Sequence, residues 1–78
     1  MAGFHLQYRP IGGDYLLERR FEASDRASAY AEAARLITEA HGRPDAFVSW
    51  DRERGSVTVS AGYWSRRGSY SLDDDGGS

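Results

Sequence analysis

The sequence predicts an α+β fold: a single antiparallel sheet of four strands, five if the last segment returns, with one helix packed on one face, in the order ββαββ. Three observations lead there. Apolar and polar residues alternate on both sides of a central alanine-rich stretch, that stretch has helical periodicity, and glycines fall where hairpins need turns. The 78 residues suit one small domain, placed at residues 1–72, with an acidic and glycine-rich tail over 73–78 expected to be disordered. A hydrophobic share of 40%, including two Trp, five Tyr and three Phe, is enough to build a modest core. A core that small is only marginally stable alone, so self-association as a homodimer is a natural expectation.

Phe4, Leu6 and Tyr8 alternate with His5, Gln7 and Arg9, the period of a strand with one buried face. Pro10, lacking an N–H, closes that strand, and Gly12-Gly13-Asp14 supplies a tight turn into a second strand from about Tyr15 to Glu22. Arg19 interrupts the apolar side of this second strand. Either its stem packs while its head turns outward, or a bulge shifts the register. Ser24 or Asp25 then offers an N-cap acceptor, and the helix runs to His41. At 100° per residue, Ala27, Tyr30, Ala33, Ala34, Ile37 and His41 share its inner face, flanked by Ala29, Leu36 and Ala40. Ser28, Glu32, Arg35 and Glu39 cluster opposite, with Arg35 in reach of both glutamates. Gly42 suits the left-handed residue past the helix end, and Pro44 prevents continuation.

Ala46, Val48 and Trp50, followed by Val57, Val59 and Ala61, give the apolar face of a second hairpin and the floor for the helix. The opposite face of that hairpin carries Ser, Thr, Asp and Phe47 and should be wet. Beyond Gly62 the chain is expected to extend the fourth strand, turn at Arg67-Gly68 and return as a short fifth.

Several chemistries are excluded by composition. Without cysteine there is no disulfide scaffold, thiol nucleophile or sulfur-ligated metal site. Without lysine there is no Walker motif, and no zinc-protease or serine-hydrolase motif occurs. Gly12-Gly13 leads into a strand rather than a helix, so it is a turn and not a phosphate loop. His41 is expected either to cap the helix C-terminus, where a protonated imidazole complements the dipole, or to sit at the core edge, and His5 to sit on a wet strand face. The Asp73-Asp74-Asp75 run offers too few preorganised oxygens for a hard cation. No catalytic, cofactor-binding or metal-binding residue is therefore expected, and the chain is read as non-enzymatic. No apolar run approaches the roughly 18 residues of a membrane span, and MAGFHLQYRP lacks a signal-peptide core. A cytoplasmic location with no membrane partner is expected.

Ten arginines face twelve acids, three of them in the run at 73–75, so the rest of the chain is nearly neutral. Neither a basic nucleic-acid binder nor an acidic imitation of nucleic acid follows from that balance. The informative stretch is Tyr63-Trp64-Ser65-Arg66-Arg67-Gly68-Ser69-Tyr70. Aromatics interleaved with arginines anchor protein interfaces, which makes Tyr63, Trp64, Arg66, Arg67 and Tyr70 candidate partner-binding residues. Arg19 and Arg20, with Glu18 and near Arg9, form a second charged group, suited to an acidic partner or, as such charges more often serve, to protecting an edge strand from unwanted pairing. The alternative is a single-stranded nucleic-acid accessory using the same hairpin to stack bases and contact phosphates. A third reading of this hairpin is ordinary closure of the core end.

The layout of paired strands, one alanine-rich helix from Asp25 to His41 and further strands within 78 residues resembles that of several small phage-encoded anti-CRISPR inhibitors. That resemblance implies a non-catalytic inhibitor that docks on a larger bacterial nucleoprotein effector.

Overall fold

The computed structural model describes residues 2–13 and 16–74. Tyr15 and the tail beyond residue 74 lie outside the described residues. The elements are β1 (Ala2–Pro10), β2 (Leu17–Ala23), α1 (Arg26–Ala40), β3 (Phe47–Asp51), β4 (Ser56–Ala61) and β5 (Trp64–Asp74). The order is thus ββαβββ, with a full fifth strand. All five strands form one antiparallel sheet in the spatial order β2-β1-β5-β4-β3. The first and last strands pair at its centre, and α1 carries the chain across one face from the β2 edge to the β3 edge. Central pairing with a helix above explains why Leu6 and Tyr8 have no exposed surface.

Two expectations for the last segment are corrected. The β4-β5 turn falls at Gly62-Tyr63, where Gly62 takes a φ of +61°, and not at Arg67-Gly68. Gly68 instead sits buried in mid-strand, paired with Pro10 on one side and Val57 on the other. A Cβ there would lie 2.5 Å from the Arg9 carbonyl oxygen and 2.8 Å from the Tyr8 ring. Glycine is needed for this close approach and not for a turn. The tail also begins later than expected, because Asp73 and Asp74 are part of β5 and pair with His5 and Phe4.

β2 pairs with β1 without a bulge, Phe4 opposite Phe21, Leu6 opposite Arg19 and Tyr8 opposite Leu17. Arg19 therefore stays on the helix side of an edge strand, and its head turns back to donate to the Glu18 carbonyl at 2.8 Å. In α1 the Asp25 carboxylate accepts the Ser28 N–H at 2.8 Å, which holds that carboxyl below its usual range. The buried stripe is Ala29, Tyr30, Ala33, Ile37 and Thr38, whereas Ala27 and Ala40 are exposed and Ala34 is half-buried. The inner line is rotated towards the i,i+4 series Ala29-Ala33-Ile37. Small residues on that line let the helix lie close, and the bulky rings at its ends reach down beside it. Thr38 is satisfied through its Oγ1, which donates to the Arg35 carbonyl at 3.0 Å.

The opposite face of the sheet is the wet one. Register places Ser56, Thr58 and Ser60 there with Ser65, Arg67, Ser69 and Ser71 and, on the same face across β1 and β2, His5, Gln7, Glu18 and Arg20. His5 Nε2 and Gln7 Nε2 meet one Glu18 oxygen at 2.8 and 3.0 Å. Those contacts, Gln7 foremost, hold the Glu18 carboxyl below its usual range.

Candidate functional site

Each end of α1 rests on an aromatic cluster covered by two arginines. At the C-terminal end the Tyr8 hydroxyl meets His41 Nε2 at 2.8 Å, and the two rings stand edge to face 5.7 Å apart. His41 in turn meets the Trp64 ring edge-on at 5.3 Å. The guanidiniums of Arg43 and Arg66 lie over the Trp64 ring, 4.9 and 5.5 Å from its centre. His41 is here because it is the C-cap residue, and Arg43 because the chain turns down just beyond Gly42, its N–H bonded to the Thr38 carbonyl at 2.9 Å. Partial burial, and then the charge of Arg66, push the imidazole below its usual pKa. That shift favours the neutral ring, and the half-buried imidazole sits at the core edge against Tyr8 and Trp64, the second of the two places the sequence allows it. Donation from Tyr8 to Nε2 suits a neutral ring carrying its own proton on Nδ1. Beside this cluster, at the β4-β5 turn, Tyr63 is fully exposed.

At the N-terminal end Tyr30 comes down from the helix onto Trp50 of β3 and Tyr70 of β5. Ring centres are 5.0 Å apart for Tyr30 and Trp50, and 4.6 Å for Trp50 and Tyr70, all edge to face. The two phenol oxygens are 3.3 Å apart. Burial, and then the bond to Tyr30, push the Tyr70 hydroxyl up to about 12, so it stays protonated. Arg52 lies over the Tyr30 ring at 4.3 Å and Arg26 at 5.8 Å, with Arg26 Nη2 donating to the Leu72 carbonyl at 2.9 Å.

The seven residues singled out in the sequence do not share one surface. Trp64 and Arg66 belong to the first cluster and Tyr63 adjoins it, but Tyr70 belongs to the second. Arg67 is one residue out of phase with Arg66 and points to the wet face, paired in register with Thr58. Arg19 and Arg20 lie on β2, the edge strand beyond β1, and on opposite faces from each other. Strand alternation separates what sequence proximity suggested. Sequence reasoning missed Arg43 in the first cluster and Arg26, Trp50 and Arg52 in the second. Two local signals point to them: Arg26 and Tyr30 are four apart on the helix, and Arg52 stands two residues beyond Trp50 on one side of the strand end.

Among the described residues no three His, Asp or Glu side chains are grouped to hold a metal ion, and no helix is long and apolar enough to cross a membrane. Fold and clusters together define a small α+β protein: a single-layer antiparallel sheet whose one helix ends on cation-covered aromatic rings. No protein-family model, curated protein or solved structure matches the chain.

Proposed function

We propose that this chain is a non-enzymatic, cytoplasmic protein-binding module, an inhibitor that docks on a larger bacterial nucleoprotein effector in the manner of anti-CRISPR proteins. One observation carries the reading: fully exposed Tyr63 stands beside a Trp64 ring on which Arg43 and Arg66 are already laid. Tyr, Trp and Arg are the side chains that dominate protein interfaces. Guanidiniums stacked in advance lose less freedom on docking than free ones, which favours binding. Their positive charge suits an acidic patch on the partner. A single-strand site would stack successive bases on open rings, and with two guanidiniums over Trp64 the open ring at this end is Tyr63.

The test is a reconstituted CRISPR nucleoprotein effector titrated with the protein, with target cleavage and complex formation followed together. Inhibition is expected, weakened about tenfold or more by Tyr63→Ala and by Arg43→Ala. Failure to inhibit or to bind any effector type refutes the reading. Binding instead to a single-stranded oligonucleotide, falling steeply with salt, moves the function to the nucleic-acid class.

A further inference from the structure

The second aromatic cluster borders a feature that the docking reading does not use. The β3-β4 hairpin stops at Gly55, whose carbonyl accepts the Tyr70 N–H at 3.0 Å, while β5 runs on to Asp74 against β1 alone. The missing neighbour leaves a notch at the end of the sheet, a cavity of about 340 Å³. Arg26, Tyr30, Arg52 and Tyr70 line it on the helix side, and Ser71 and Asp73 of β5 line it as well.

The helix side of that lining carries two cations and two phenols. Both guanidiniums lie over the same Tyr30 ring, one from the first turn of the helix and one from the β3-β4 turn. Arg26 commits one nitrogen to the Leu72 carbonyl and keeps further N–H groups; exposed Arg52 is held by its ring contact. The Tyr30 and Tyr70 hydroxyls share one hydrogen bond between them, so one O–H remains to donate into the notch. Two carboxylates oppose the arginines: Asp73, which also lines the notch and accepts the Ser71 hydroxyl at 2.7 Å on the wet side of β5, and Asp74, which the register with Phe4 places on the helix side. Two cations and a phenol donor around an open surface notch match a doubly charged group with several acceptor oxygens better than a singly charged carboxylate.

We infer that the notch between the β3-β4 turn and the N-terminal turn of α1 is a binding site for the phosphate group of a small phosphate monoester, held by Arg26 and Arg52 with a hydroxyl of the Tyr30-Tyr70 pair. It uses none of the residues of the proposed docking end, so either proposal stands if the other falls. Trp50, packed on both tyrosines, is a built-in reporter.

The experiment titrates inorganic phosphate, phenyl phosphate and, as the carboxylate arm, acetate into the protein at low salt and neutral pH. Trp50 emission in a Trp64→Phe background and calorimetry on the unaltered chain are read in parallel. Saturable binding of phosphate species, at least tenfold tighter than acetate, is expected. Arg52→Ala, at an exposed position and with the fold verified by circular dichroism, is expected to weaken it about tenfold, and Arg35→Ala on the far helix face to leave it unchanged. Absence of saturable heat with both phosphate probes, equal affinity for acetate, or an Arg52→Ala variant that binds as well as the parent overturns the inference.

Discussion

Replacing Gly68 by alanine places a methyl group where the fold has no room for one. The new Cβ would stand 2.5 Å from the Arg9 carbonyl oxygen, 2.8 Å from the Tyr8 ring and 2.9 Å from the Pro10 Cα. Two of these three atoms are backbone of β1, which is pinned between β2 and β5, so rotating a side chain does not relieve the clash. Overpacking of this kind costs about 1–3 kcal/mol, and the central position puts it near the top of that range. Alanine also narrows the unfolded ensemble, which returns about 0.4–1 kcal/mol. The net loss is about 2 kcal/mol, a large part of the roughly 4–12 kcal/mol available to a chain of this length. Urea unfolding followed by tryptophan emission is the assay. With a slope of about 1 kcal/mol per molar the midpoint falls by about 2 M, and the melting temperature by about 8–16 °C. Gly62→Ala is the comparison, because its φ is +61° but nothing lies within 4 Å of a Cβ there, leaving only the backbone cost of about 1 kcal/mol. A Gly68→Ala midpoint equal to or above that of Gly62→Ala refutes the close-approach argument.

Further outcomes follow from the two ends of the helix. Tyr8→Phe removes the hydroxyl from His41 Nε2 without changing the buried ring, and a loss of about 1 kcal/mol in the same urea assay is expected. Stability also depends on pH through His41. Its folded pKa lies below the unfolded value of 6.5, so the unfolded chain binds more protons between the two, and stability falls as pH drops below about 6.5. His41→Phe flattens that limb in a pH series of melting curves. A second loss belongs to Asp25 and Glu18, whose folded pKa values are also depressed. Their contribution is complete above the carboxylate range and disappears as pH falls through their folded values, and Asp25→Asn reduces this acid limb.

Much of the fold was legible because it rests on short-range physics. Period-two alternation set the inward faces of β1, β3 and β4, and Asp25 and Gly42 marked the helix ends through groups that only local capping satisfies. The fifth strand was misread for an equally physical reason. Glycine after two arginines looks like a turn when only neighbours in sequence are considered. What makes Gly68 a strand residue is Tyr8, sixty residues earlier, whose ring occupies the space a side chain would need. A constraint between chain ends leaves no local pattern. The same holds for Asp73 and Asp74, which read as a solvated acidic tail until β1 pairs with them.

The site follows the same division. The segment from Tyr63 to Tyr70 does carry the residue types expected of an interface, but a strand sends alternate residues to opposite faces and spreads its length along the sheet. Trp64 and Tyr70, six residues apart on one face, therefore end under opposite ends of the helix, where each meets residues from elsewhere: His41 and Arg43 at one end, Arg26, Tyr30 and Arg52 at the other. The helix spacing from Tyr30 to His41, eleven residues at about 1.5 Å each, covers about 16 Å. Six strand residues at about 3.3 Å cover about 20 Å. The two elements are matched in length and run in opposite directions, so each aromatic on β5 finds one partner ring on α1. That match makes two separate cation-covered clusters out of one aromatic-rich segment. On the two proposals made above, substitutions at Tyr63 and at Arg52 are expected to act separately, the first on docking and the second on phosphate binding.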